Sequence, residues 1–131
     1  MSGALQAELE GAWVPVAVNV SGQPLVVDDL RVARLVLDHG GYRIFDQSTS
    51  VVDSGEYVVD ESVQPPAMDI VGREGPNAGR TMLAVIELSD DRLTVSYDLE
   101  GRMRPPCPNA DAAEDQHILT IVYARASSVL S

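Results

Sequence analysis

Apolar and polar residues alternate with a period of two through most of this chain. In residues 92–98, for example, Leu93, Val95 and Tyr97 fall on one face, and the residues between them are polar. Because successive side chains of a strand point to opposite faces, this pattern predicts strands with one buried face and one solvated face. Such strands are typical of antiparallel sheets.

Eight segments carry the strand pattern, and clusters of Gly, Pro, Asn and Asp separate them. They are residues 12–20, 33–38, 41–46, 51–59, 67–72, 80–88, 92–98 and 116–125. The connections leave no room for the helices that parallel crossovers need, so we predict an all-β, antiparallel, up-and-down fold. Closure into an eight-stranded barrel would hide the strand edges, whereas the pattern alone also allows a sandwich of two sheets.

The segment before the first strand, residues 2–10, consists of good helix formers and ends at Gly11. We expect it to form a short helix that closes one end of the barrel. Two connections are too long for hairpins. Residues 21–32 include a predicted turn of helix at 28–32, and residues 99–115 have no strand pattern, which is typical of lids, binding segments or disordered stretches.

A length of 131 residues predicts one domain with a core of its own. We divide it into a helix in residues 1–10, a barrel in residues 11–126 and a tail in residues 127–131. The net charge of −11 disfavours nucleic acid and anionic membranes as partners. We expect a monomer or weak homodimer. A lone cysteine, Cys107, and the absence of an apolar N-terminal run favour a cytoplasmic location.

Gly11, Ala12 and Trp13 open the first predicted strand, and Arg125 ends the last. This arrangement resembles the lipocalins, which begin with a Gly-x-Trp motif and stack a late arginine on that tryptophan. The resemblance implies that Trp13 and Arg125 form a structural plug at the closed end of the barrel. Contact of the same pair with a ligand through cation–π stacking is the alternative.

Further stretches occur in order over almost the whole chain: residues 9–13, 54–57, 68–70, 74–81, 86–88, 93–97 and 104–105. In these the chain resembles a family of small bacterial lipocalin-like domains of the calycin type, common in planctomycetes and of unknown function. It departs from that family after Arg104 and Pro105, where the family has a phenylalanine and this chain has Cys107 and Pro108. The resemblance implies a fold and no established activity.

Tyr57, Tyr97 and Tyr123 fall on the inward faces of their strands, and we expect their hydroxyls to orient a ligand. Met68 and Met82 suit an adaptable pocket. The same residues could instead fill a solid core, because an eight-stranded barrel is just wide enough either to pack solid or to hold one small ligand.

No catalytic or metal-binding residue, and no cofactor, is predicted. His39 lies in a glycine turn and His117 at a strand end beside Glu114 and Asp115, and two histidines so placed lack the ligand spacing of a zinc site. Cys107 has no histidine at a catalytic spacing. The pattern also assigns no acid or base to the barrel interior.

These observations favour a protein that binds a small, apolar or weakly polar molecule. Two alternatives remain open at this point. One is a cofactor-independent cyclase or isomerase that holds a natural-product-like substrate in a reactive conformation. The other is an interaction module whose barrel is packed solid.

Overall fold

The computed structural model describes residues 4–21, 23–27, 32–99, 104–105 and 117–126. Within these residues lie one short helix and nine strands. The helix is α1 (Ala4–Leu9), and the strands are β1 (Gly11–Val20), β2 (Gln23–Leu25), β3 (Arg34–Asp38), β4 (Gly41–Phe45), β5 (Val51–Asp60), β6 (Ala67–Glu74), β7 (Thr81–Ser89), β8 (Arg92–Asp98) and β9 (Ile118–Arg125). Within the described ranges, no helix combines the length and the apolar character needed to cross a lipid bilayer.

Eight of the strands form a closed antiparallel barrel. The order is β1-β3-β4-β5-β6-β7-β8-β9, and β9 pairs back with β1, so that Trp13 faces Arg125 and Val20 faces Leu119. This confirms the predicted barrel, and the single continuous sheet rules out the sandwich. A bulge in β1 near Pro15 lets the strand bend as it pairs with β9.

The eight predicted strands match the observed ones to within two residues at each end. The ninth strand, β2, is not among the predicted ones, because it lies within the connection of residues 21–32. It is three exposed residues long and pairs with the end of β1. Its central Pro24 is tolerated because an edge strand leaves one side of its backbone unpaired. Most of the predicted helical turn at 28–32 lies outside the described residues.

The helix α1 and a buried tryptophan lie together at one end of the barrel. Trp13 is fully buried, and its indole Nε1 donates a hydrogen bond to the Leu9 carbonyl at 2.8 Å. The Arg125 guanidinium lies 4.2 Å from the centre of the Trp13 ring and donates to the carbonyls of Glu8 and Glu10. Hydrogen bonds and a cation–π contact therefore join the helix, the first strand and the last strand at this end.

The long connection between β8 and β9 is described only at Arg104 and Pro105. Arg104 lies on the outside of the barrel, where it donates to the Ala84 carbonyl at 2.8 Å and pairs with Asp69. Most of this connection, including Met103 and Cys107, lies outside the described residues, as does the predicted tail at 127–131.

Candidate functional site

The barrel encloses a cavity of about 490 Å³. Val32, Pro76 and Asn77 belong to connections at the end opposite α1, and they line the mouth of this cavity. Below them the wall is formed by inward-facing residues of β3 to β9 and is mainly apolar. Its aliphatic and methionine residues are Leu35, Leu37, Ile44, Val52, Met68, Ile70, Met82, Leu93, Val95, Leu119 and Ile121.

All five residues predicted to contact a ligand line this cavity. They are Tyr57 on β5, Met68 on β6, Met82 on β7, Tyr97 on β8 and Tyr123 on β9. Strand alternation places them inward, and Tyr97 is the one of the five that retains partial exposure. The cavity is at odds with the third interpretation, a barrel packed solid. Trp13 and Arg125 are not among the residues that line it.

Asp53 lies in the cavity wall, although no acidic residue was predicted inside the barrel. It faces inward from β5, and only 6% of its surface is exposed. Tyr42 Oη donates to Asp53 Oδ1 at 3.2 Å, and Asn77 Nδ2 donates to Asp53 Oδ2 at 2.8 Å. The prediction that assigned no acid to the barrel interior was therefore wrong.

The alternation of residues along β5 predicts an inward position for this carboxylate. Asp53 is four residues before Tyr57 in the same strand, so the two share the inward face. Burial rules work against that assignment, because aspartate is almost never buried unless it is paired. Here each carboxylate oxygen accepts a hydrogen bond from a neutral donor, one on the neighbouring strand β4 and one in the connection between β6 and β7.

The connection between β6 and β7 brings Asn77 over the mouth. Its backbone folds tightly, with the Gly79 amide donating to the Gly72 carbonyl at 2.9 Å. Gly75 adopts φ +90°, and a Cβ there would lie 2.4 Å from the Val52 carbonyl oxygen. Only glycine allows the connection to approach β5 this closely, and that approach lets the Asn77 amide reach Asp53.

Burial raises the pKa of every tyrosine in the chain, and all four line the cavity. Burial and then the charge of Asp53 raise the pKa of Tyr97 to about 12. Burial, the Asp53 charge and the hydrogen bond to Asp53 raise the pKa of Tyr42. Burial also raises the pKa values of Tyr57 and Tyr123. At neutral pH the cavity therefore contains phenols that can donate hydrogen bonds.

The Tyr57 hydroxyl is buried and has no hydrogen-bond partner among the residues that the structure describes. The residue as a whole is 2% exposed. A buried polar group without a partner costs about 1–3 kcal/mol. Tyr57 lines the cavity, and the Glu10 and Asp38 charges, which after burial raise its pKa, place its hydroxyl towards the α1 end of the barrel.

The two histidines lie away from this wall. His39 is exposed in the turn between β3 and β4, where it pairs with Asp38 and where its backbone amide donates to Glu10. These three side chains could in principle meet at one ion, but two of them are well exposed and the group lies outside the barrel. His117 is exposed before β9, and the carboxylates predicted beside it lie outside the described residues.

Comparison with known proteins gives no match to a family model, to a curated protein or to a solved structure. The eight-stranded antiparallel barrel with its N-terminal helix is compatible with a lipocalin-like fold.

Proposed function

We propose that this protein is a lipocalin-like binding protein that holds one small, largely apolar molecule inside its barrel. The observation that carries the proposal is the cavity of about 490 Å³ and, among its lining residues, Tyr57, whose hydroxyl has no hydrogen-bond partner in the described part of the chain. Ligand pockets commonly measure about 300–1,000 Å³ and combine an apolar lining with a few polar groups that fix orientation. This cavity has both properties.

The two kinds of lining have different effects on binding. The aliphatic and methionine wall favours any apolar guest by about 25 cal/mol for each Å² of apolar surface removed from water. The polar groups at Asp53 and Tyr57 select among such guests, because a guest that leaves them without partners forfeits hydrogen bonds.

The experiment is native mass spectrometry of the purified protein, followed by extraction and chromatography of any bound compound. We expect a one-to-one complex with a small molecule. Tyr57→Phe should lower the bound fraction, because the hydroxyl that contacts the ligand is lost. The same variant should not lower the free energy of unfolding of the ligand-free protein, because the buried hydroxyl that it removes has no hydrogen-bond partner among the described residues.

Thr94→Val is the matched control, because it removes a hydroxyl from the outward face of β8. It should leave the bound fraction unchanged. If Tyr57→Phe and Thr94→Val retain the compound as well as the parent protein does, the assignment of Tyr57 to the ligand site is wrong.

Asp53 favours a second candidate, a cofactor-independent isomerase or cyclase. A buried carboxylate can accept a proton from a bound substrate while a second tyrosine of the wall, Tyr97, donates a hydrogen bond to the oxygen that gains charge. Compounds extracted from the parent protein and from Asp53→Asn distinguish the candidates. Identical compounds support binding alone, and a different isomer retained by the variant supports catalysis.

A further inference from the structure

We infer that the barrel is selective for amphiphilic amines, with a protonated nitrogen at Asp53 and an apolar body against the aliphatic wall. The inference rests on the proposed binding function and adds to it the charge of the ligand.

The cavity wall carries a negative charge without a positive one to balance it. Among the described lining residues Asp53 is the single charged side chain, and neither arginine nor histidine is present. Its hydrogen-bond donors, Tyr42 and Asn77, are neutral. Buried charges in proteins are ordinarily paired, because removing an ion from water costs several kcal/mol. A cation supplied by the ligand would provide that pairing.

The carboxylate retains the capacity to bind such a cation. Each carboxylate oxygen accepts one hydrogen bond from the described residues, and an ionised carboxylate offers about four acceptor positions. An ammonium group has three N–H donors and no acceptor, so it suits the positions that remain. Hydrogen bonds between charged partners are about twice as strong as neutral ones.

The aromatic composition of the wall favours the same ligand. All four tyrosines line the cavity, together with Asp53. The face of an aromatic ring attracts ammonium groups, and the attraction grows when both partners are removed from water. Carboxylate and phosphate ligands meet the opposite conditions, because Asp53 and the net charge of −11 repel an anion and the described lining residues include no cation to offset that repulsion.

The position of the carboxylate also sets the orientation of the guest. Asp53 bonds to the connection that covers the mouth, whereas Tyr57 lies four residues further along β5, about 13 Å for an extended strand. The chain of β5 runs from the mouth towards the α1 end, since its last residues lead to Glu61, which accepts a hydrogen bond from the Leu5 amide. The charged nitrogen would therefore lie near the mouth and the apolar body deeper in the barrel.

The test uses three probes with the same decyl chain and different head groups: decylamine, decanol and decanoic acid. Isothermal titration calorimetry at neutral pH measures their affinities for the parent protein, for Asp53→Asn and for Asp60→Asn. Asp60 is an exposed residue of the same strand, so its replacement removes one negative charge, as Asp53→Asn does, without changing the cavity. Asparagine also preserves the acceptor that Asp60 offers to the Ser62 amide.

We expect the parent protein and Asp60→Asn to bind decylamine at least about tenfold more tightly than decanol, and to bind decanoate most weakly. In Asp53→Asn the preference for decylamine over decanol should disappear while decanol binding remains. That result would show that the selectivity comes from the cavity and not from the acidic surface. The ranking in the parent protein tests the inference even if Asp53→Asn fails to fold.

The remaining outcomes overturn specific claims. If decanol binds and decylamine binds no more tightly, the cavity stands and the inference about charge fails. If decanoate binds most tightly, the inference fails in the same way. If Asp60→Asn loses the preference as fully as Asp53→Asn does, surface charge explains it and the inference fails. If none of the three probes binds the parent protein, the proposed function fails and the inference fails with it.

Discussion

At the scale of single residues, Trp13 is buried and also contacts both α1 and the end of β9. Its indole donates to Leu9 at the end of α1, and its ring lies under the guanidinium of Arg125 at the end of β9. A large aromatic side chain contributes apolar burial, and here it also contributes a hydrogen bond and a cation–π contact. Its truncation would remove all three at once.

We expect Trp13→Ala to lower the free energy of unfolding by about 3–5 kcal/mol, the range found for large aromatic truncations in cores. Chemical denaturation monitored by circular dichroism measures the change. Val58→Ala is the control, because Val58 is 64% exposed and its loss should cost less than about 1 kcal/mol. A Trp13→Ala variant as stable as Val58→Ala would show that the tryptophan does not hold the closed end together.

The tyrosines predict how stability depends on alkaline pH. An unfolded tyrosine has a pKa near 10, whereas burial raises the pKa of Tyr97 to about 12 and raises the other three as well. The folded state therefore binds these protons more tightly than the unfolded state. The resulting stability is fully present below about pH 10 and is lost as the pH rises through the folded values.

Two measurements check this expectation. Near-ultraviolet absorbance of tyrosinate should stay low in the folded protein at pH values where a denatured sample has already ionised. The free energy of unfolding should fall continuously above about pH 10. Tyr97→Phe removes one of the four groups and should reduce that fall. Tyrosine ionisation in the folded protein near its ordinary pKa would contradict the buried placement of these side chains.

Residues of the candidate site whose position depends on local alternation could be predicted, whereas those whose position depends on contacts between separate elements could not. Period-two alternation is local, and it sufficed to place Tyr57, Tyr97 and Tyr123 on the cavity wall. Asp53 has the same inward register, but its burial depends on donors that come from another strand and from a connection. The sequence pattern indicates Asn77 as a turn residue and contains no information about what that turn contacts.

At the scale of elements, the connection between β6 and β7 shapes the mouth of the barrel. Its Pro76 and Asn77 line the cavity, and the hydrogen bond from Asn77 to Asp53 fastens it to β5. Two of its glycines, Gly75 and Gly79, have positive φ angles of +90° and +81°. A Cβ would meet the Val52 carbonyl at Gly75 and open space at Gly79, so that alanine at these two positions gives a matched pair of variants.

We expect Gly75→Ala to destabilise the protein more than Gly79→Ala does. Both variants impose a left-handed conformation on alanine, at a cost of about 1–2 kcal/mol. At Gly75 the new Cβ would also lie 2.4 Å from the Val52 carbonyl oxygen, whereas at Gly79 there is no atom within 4 Å. The difference between the two free energies of unfolding therefore measures the close approach alone. Equal losses would mean that the connection shifts without cost.

Strands were more predictable than connections for a related physical reason. A strand of the barrel repeats one rule over five to ten residues, so its ends could be predicted to within two residues. The short β2 repeats the rule too few times, and its exposed residues Gln23, Pro24 and Leu25 carry no inward face. Its pairing with β1 comes from the return of the chain after a turn and not from a buried pattern.

At the scale of the whole molecule, the closure of the barrel could be predicted from the sequence, whereas the presence of a cavity inside it could not. Consecutive antiparallel strands without helices leave two unpaired edges, and joining them is the one arrangement that removes both. The interior volume depends instead on how many side chains meet across the barrel and on their sizes. One aspartate, four tyrosines and two methionines share the wall with aliphatic residues, and no count of these residue types gives a volume of about 490 Å³.

The joining of β1 to β9 also determines when the barrel can complete itself. Arg125 bonds to Glu10, which lies 115 positions earlier in the chain, whereas the other barrel strands pair with sequence neighbours. Bringing such distant segments together has the largest entropic cost of any pairing in the molecule, and folds rich in distant contacts fold in about milliseconds to seconds. The hairpins would assemble first as an open ribbon. During that interval the lining that later receives a guest would face solvent and other copies of the chain, so dilute refolding would give the highest yield.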